Sequence, residues 1–120
     1  MDNKEFEEKL RARMMTFSID VIRAVDGLPS GRVAEVVGKQ LVRCATSVGA
    51  NSRAACNGKS KADFVAKLGI ALEEADESQY WLEIIASLDV IGKDVALKLR
   101  SEAQELTAIL ASSVKTAKTH

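Results

Sequence analysis

Carboxylates are the residues whose type and spacing most suggest chemistry in this chain. Five of them fall in one short stretch: Glu73, Glu74, Asp76, Glu77 and Glu83. In a helical bundle such a cluster would indicate a dinuclear metal site, which needs inward glutamates and two Glu-x-x-His pairs. The single histidine is His120, the last residue, and no Glu-x-x-His pair occurs. The sequence therefore predicts no metal site and no cofactor.

The sequence also contains no signature of nucleophilic catalysis. No internal histidine can act as the base for Ser47 or Cys44, and neither a Gly-x-Ser-x-Gly elbow nor a glycine-rich phosphate loop occurs. Cys44 and Cys56 lie 12 positions apart, roughly 18 Å along one helix, too far to pair or to share a metal. We expect both to be small buried hydrophobes in a reducing cytoplasm. We therefore predict a protein that is not an enzyme; the alternative is a small-molecule or metal-dependent enzyme with its site in the bundle core.

Charge is separated along the chain although the totals cancel, with 17 basic and 17 acidic residues. Residues 36–62 contain five bases and no acid, whereas residues 63–89 contain seven acids and one base. If the two segments form a hairpin near Gly58, three pairs face each other: Arg53 with Asp63, Arg43 with Glu73, and Lys39 with Glu77. Such matching would select neighbouring helices more than it would stabilise them.

A second interpretation of the basic segment is a nucleic-acid patch. Arg53, Lys59 and Lys61 would lie beside the hairpin turn and contact RNA, DNA or another partner. No aromatic residue for base stacking lies between Arg53 and Lys61. We therefore expect any such binding to be weak, sequence-independent and salt-sensitive.

The elements that must position these residues are helices. Breaks at residues 28–31, 57–58 and 91–94 divide the chain into four segments, each with apolar residues every three or four positions. Asp2 or Asn3, Ser60 and Asp94 are the predicted helix caps. The sequence predicts one all-α domain over residues 1–120, an antiparallel up-down-up-down four-helix bundle. No apolar run of 18 residues suggests a membrane span.

The third segment has more apolar surface than a bundle core requires. Its large apolar residues cover roughly 200° of the helical wheel, whereas about 100° suffices for one core. Either the loop after Ile91 covers the excess, or the excess forms a subunit interface. We predict an interface, formed by Tyr80, Trp81, Ile84, Leu88 and Ile91.

Asn51 is a polar residue at a core-facing position of the second segment, with Ser47 one turn earlier. We expect Asn51 to hydrogen-bond across the bundle and fix its register. The alternative is a contact with a ligand or partner.

These residues also resemble a known family. The similar segments are residues 40–51 (QLVRCATSVGAN), 61–71 (KADFVAKLGIA) and 73–83 (EEADESQYWLE). They are similar to the bacterial four-helix-bundle proteins encoded by intervening sequences in large-subunit ribosomal RNA genes, relatives of the accessory variability protein of diversity-generating retroelements. The motif residues are Arg43, Ser47, Asn51 and Trp81.

The resemblance implies a left-handed bundle, a homopentameric ring and no catalytic residues. Retroelement accessory proteins are basic and bind nucleic acid, whereas this chain is neutral. The expected function is a cytoplasmic, oligomeric scaffold or binding protein that engages RNA or a ribonucleoprotein.

Overall fold

A computed structural model describes residues 3–119, and its chain is helical nearly throughout. The four helices are α1 (Asn3–Asp26), α2 (Arg32–Cys56), α3 (Lys61–Leu88) and α4 (Lys93–Thr119). No strand occurs within residues 3–119. The predicted all-α bundle is confirmed. Asp2 and His120, named above as a cap and as the single histidine, lie outside the described residues.

The turns follow the local chemistry of the sequence. Between α1 and α2, Pro29 disfavours helical geometry in the residue before it, and Gly31 has a φ of 156° that side chains rarely adopt. At the start of α3, Ser60 caps the helix as predicted, because its hydroxyl accepts a hydrogen bond from the Asp63 amide at 3.1 Å.

The turn between α3 and α4 differs from the prediction at two positions. Helix α3 ends at Leu88, followed by Asp89 in the left-handed conformation with φ 56°. Ile91 therefore lies beyond the helix, and its predicted place on the helical face was wrong. Helix α4 begins at Lys93, so Asp94 lies in the first turn and is not the cap, although its charge still favours the helix N-terminus.

The core runs through all four helices and is almost entirely apolar. Its largest fully buried side chains include Phe17 of α1, Leu41 of α2, Leu82 of α3 and Leu106 of α4. Each contributes about 1.5–3 kcal/mol by leaving water. Ser78 is a buried polar exception; its hydroxyl lies 2.8 Å from the Glu74 carbonyl, one turn earlier.

The helices pack in chain order, and α1 also packs on α4, whereas the backbones of the diagonal pairs, α1 with α3 and α2 with α4, are not adjacent. Two bonds show the antiparallel pairing of α3 and α4: Gln79 Nε2 to Thr107 Oγ1 at 2.8 Å, and Arg100 Nε to Glu83 Oε1 at 3.0 Å.

Among residues 3–119, no helix is long and apolar enough to cross a membrane.

Candidate partner-binding face

A network of charged and polar side chains joins α2 to α3 on the outside of the bundle. Arg43 donates from one terminal nitrogen to Glu74 Oε2 at 2.9 Å and from the other to Glu77. Its Nε donates to Gln40 Oε1 at 3.1 Å. Desolvation lowers the pKa of Arg43, but the two carboxylates outweigh it and raise the pKa. Arg43 is therefore held in one orientation between the helices.

Trp81 belongs to the same network. Its indole Nε1 donates to Glu77 Oε2 at 3.0 Å, so one carboxylate orders both the indole and the guanidinium. Tyr80 lies edge-on to Trp81, with 5.4 Å between the ring centroids. An indole fixed in this way is a preorganised surface.

The charge matching predicted for the α2–α3 hairpin was correct in the choice of helices and wrong in its pairs. Arg43 contacts Glu74 and Glu77, not Glu73, because Glu73 lies about 100° further around the helix and is exposed. Neither of the other two expected pairs, Arg53 with Asp63 and Lys39 with Glu77, forms an ion pair among the described residues.

Asn51 does not reach across the bundle as expected. It is half-buried, and its Nδ2 donates to the Ser47 carbonyl at 2.9 Å and lies 2.8 Å from the Ser47 Oγ. Both partners are in its own helix, so these bonds stiffen α2 locally and specify no inter-helix register. One row along α2 therefore contains Arg43, Ser47 and Asn51, which are spaced four residues apart.

The apolar residues predicted for an interface divide into two groups. Tyr80 is 58% exposed and Leu88 is 44% exposed. Trp81 and Ile84 are half-buried, and Ile91 packs against the core. The loop after α3 therefore leaves Tyr80 and Leu88 uncovered. We call Tyr80, Trp81, Ile84 and Leu88 the α3 stripe.

A second exposed apolar stripe lies on α1 and was not predicted from the sequence. Met15, Ile19 and Ile22 are 48%, 39% and 45% exposed. Their spacing of four and three positions puts them on one side of the helix. The spacing of these residues in the first segment carries the signal, whereas the predicted interface rests on the third segment alone. We call these three residues the α1 stripe.

The basic residues predicted to contact nucleic acid lie together at one end of the bundle. Arg53 is in the last turn of α2, Lys59 is in the turn, and Lys61 begins α3; all three are exposed. None of them forms an ion pair with another described residue. They are therefore available to an anionic partner.

The two cysteines differ from each other. Cys44 is buried against Ser78, whose Oγ is 3.3 Å from its Sγ, and burial raises the pKa of the Cys44 thiol. Cys56 is exposed, so the expectation that both are buried was wrong for this residue. Across residues 3–119, no three His, Cys, Asp or Glu side chains are grouped to hold a metal ion.

The fold and this face define a four-helix bundle protein with an ordered polar network on one face. The sequence profile of the 23S rRNA-intervening sequence proteins matches residues 7–112. The chain belongs to that family.

Among solved structures, the chain is similar to a crystal structure from Bacteroides thetaiotaomicron, described as a protein of unknown function from the S23 ribosomal protein family. The two share 32% sequence identity and a TM-score of 0.82, over 88% of this chain and 98% of the other. No curated protein matches the chain.

Proposed function

We propose that the protein is a non-enzymatic scaffold that assembles with copies of itself through the α3 stripe. The observation that carries the proposal is the exposure of Tyr80 and Leu88 beside a Trp81 side chain fixed by Glu77. Tryptophan, tyrosine and arginine are the residues that most often dominate interface energies. All three types meet here, and Arg43 is the arginine.

The proposed assembly is the ring of five left-handed bundles that the family resemblance implies. A ring with more than two members needs two different surfaces on each subunit, because each copy contacts its two neighbours head to tail. The α1 stripe supplies a second apolar surface, on the helix diagonal to α3 in the bundle. We propose that the α3 stripe of one copy packs on the α1 stripe of the next.

The partner proposed for the ring is RNA, alone or in a ribonucleoprotein, in the cytoplasm. A ring repeats Arg53, Lys59 and Lys61 around one rim. Repetition raises avidity by roughly 10²–10⁴ without new contacts where one strand spans several sites. The resulting affinity is independent of sequence and falls steeply between about 50 and 200 mM salt. The two free cysteines suit a reducing compartment.

Light scattering during gel filtration tests the assembly. The wild-type protein should elute with the mass of an oligomer, and Tyr80→Glu with Leu88→Glu should elute as a folded monomer. The matched control is Leu97→Glu, which charges an exposed leucine of α4 outside both stripes and should leave the oligomer intact. A wild-type monomer at all concentrations would contradict the proposal.

A gel-shift titration tests the RNA interaction. The wild-type oligomer should retard a single-stranded RNA at low salt, and Lys59→Glu with Lys61→Glu should abolish the shift. As a control, Arg32→Glu with Lys93→Glu makes an equal change in charge at the opposite end of the bundle. This variant should retain the gel shift. No binding by the wild type at tens of micromolar, roughly the floor of non-specific affinity, would leave a protein as the partner.

Metal analysis of the purified protein tests the enzyme alternative. Stoichiometric bound iron, manganese or zinc would favour that alternative.

A further inference from the structure

A small cavity lies at the end of the bundle where α1 and α3 begin and α2 and α4 end. Its volume is about 120 Å³. Five large apolar side chains line it: Phe6, Leu10, Met14, Phe64 and Leu68. An apolar cavity of about 150 Å³ binds a benzene-sized molecule in another protein. The space therefore fits an apolar body of about four to six carbons.

Ser52 supplies a polar group inside this wall. Its hydroxyl is buried and has no hydrogen-bond partner among the described residues. A serine or threonine within a helix commonly donates to the carbonyl four positions earlier. Ser113, which lines the same cavity, does so to Ile109 at 2.9 Å. The buried Ser52 hydroxyl has no such bond, and an unpaired buried hydroxyl is costly unless a ligand or water satisfies it.

The charges that line the cavity favour an anion. Arg11 and Arg53 contribute two guanidinium groups, against the one carboxylate of Glu7. Both arginines are exposed and form no ion pair with a described residue. A guanidinium binds a carboxylate through paired hydrogen bonds, which a neutral or cationic head group cannot reproduce.

We propose that this cavity is a binding site for a small monocarboxylic acid with an aliphatic or aromatic body of about four to six carbons. The body fills the space between Leu10, Phe64 and Leu68. The carboxylate accepts hydrogen bonds from the Ser52 hydroxyl and from the arginines. The site does not depend on assembly. It shares Arg53 with the rim proposed to bind RNA, but it uses neither Lys59 nor Lys61.

An NMR titration with hexanoate tests the site, with hexanol and hexylamine as neutral and cationic analogues. Hexanoate should shift the backbone amide signals of Ser52, Phe64 and Leu68, with a Kd of roughly 0.1–1 mM for a ligand of this size. Hexanol should bind more weakly and hexylamine most weakly. An absence of shifts at these three residues with hexanoate at about ten times that Kd, or equal binding of hexylamine, would overturn the proposal.

Two variants separate the parts of the site. Ser52→Ala should stay folded, because it removes an unpaired hydroxyl, and should weaken hexanoate about 2–10-fold. Arg11→Gln with Arg53→Gln should remove the preference for hexanoate over hexanol and leave hexanol binding unchanged. Lys59→Gln with Lys61→Gln is the matched control and should bind hexanoate like the wild type. Unchanged hexanoate affinity in both cavity variants would overturn the assignment.

Cysteine labelling gives an independent readout. Cys56 is exposed and lines the cavity, whereas Cys44 is buried in the core. Hexanoate should slow the alkylation of Cys56 by N-ethylmaleimide, and Cys44 should stay unmodified in both samples. An alkylation rate that hexanoate at saturation does not change would contradict binding in this cavity.

Discussion

The α1 and α3 stripes both reach the surface of the bundle, but their surroundings differ. The α3 stripe borders the network in which Glu77 accepts hydrogen bonds from both Arg43 and Trp81. The α1 stripe consists of Met15, Ile19 and Ile22. These side chains have no hydrogen-bonding group that could hold them in one orientation, apart from the weakly polar thioether of methionine. One stripe therefore presents an ordered aromatic surface, and the other presents plain, adaptable apolar area.

This difference suggests a division of roles within the proposed ring. A preorganised tryptophan loses little entropy on binding and concentrates the interface energy. Flexible methionine and isoleucine side chains can adapt their packing to such an anchor. We therefore expect the stripes to contribute to association. The core side chains beneath the stripes should contribute to folding.

The largest expected effect comes from the core beneath the α3 stripe. Leu82 is fully buried, so Leu82→Ala should lower the free energy of unfolding by about 2–5 kcal/mol through lost burial and a cavity. Leu88→Ala, the same substitution on the exposed side of the same helix, should change it by less than about 0.5 kcal/mol. Urea unfolding of dilute protein measures both. A comparable loss for Leu88→Ala would mean that the stripe supports the fold of the single chain.

A smaller effect is expected from the hydrogen bond that orders Trp81. Trp81→Phe keeps an aromatic ring and removes the donor to Glu77, so it should lower the free energy of unfolding by about 1 kcal/mol. Tyr80→Phe, which alters an exposed ring on the same stripe, serves as control and should change it by less than about 0.5 kcal/mol. Unfolding followed by circular dichroism compares them. Equal losses would show that the indole hydrogen bond has no special part.

The smallest effect concerns how α1 is attached to α4. Arg13 donates to both oxygens of Glu102, at 2.7 and 2.8 Å. This hydrogen bonding is the main reason that the pKa of Glu102 lies below its ordinary value of 4.5. The stabilisation is therefore present above that pH and is lost as the pH falls through the folded pKa. Solvent screening limits it to about 1 kcal/mol or less.

The variant Arg13→Gln removes this contribution together with the ion pair between Arg13 and Glu105, whose atoms are 2.7 Å apart. Melting temperatures measured from pH 7 to pH 3 should fall for the wild type, and the difference between wild type and variant should shrink toward the acidic end. A difference that stays constant over this range would show that the ion pair does not set the pH dependence. Glu5, which pairs with Lys9 elsewhere on α1, offers a control through Lys9→Gln.

The sequence was sufficient for the helices because their signals are local. Apolar spacing, the Pro29–Gly31 break and the Ser60 cap each act within a few residues. The prediction for Ile91 was wrong because the helical wheel was extended past the end of the helix. The prediction for Glu73 was wrong because a shift of one position along a helix turns the side chain away from the neighbouring helix. Asn51 was misjudged because its Ser47 partner lies within the same helix.

The remaining features depend on residues that are distant in the chain. Arg13 and Glu102 are 89 positions apart, and no local pattern pairs them. The cavity at Ser52 needs the ends of all four helices to meet, and its unpaired hydroxyl becomes visible only when every neighbour is placed. The α1 stripe was predictable from spacing alone.

A mixing experiment tests most directly whether the two stripes bind each other. Tyr80→Glu with Leu88→Glu breaks the α3 stripe, and Met15→Glu with Ile22→Glu breaks the α1 stripe. In native mass spectrometry each variant alone should be monomeric. Their equimolar mixture should give a dimer with one copy of each, because one intact stripe of each kind remains. An α1-stripe variant that still forms the wild-type oligomer, or a mixture that stays monomeric, would contradict head-to-tail assembly through these stripes.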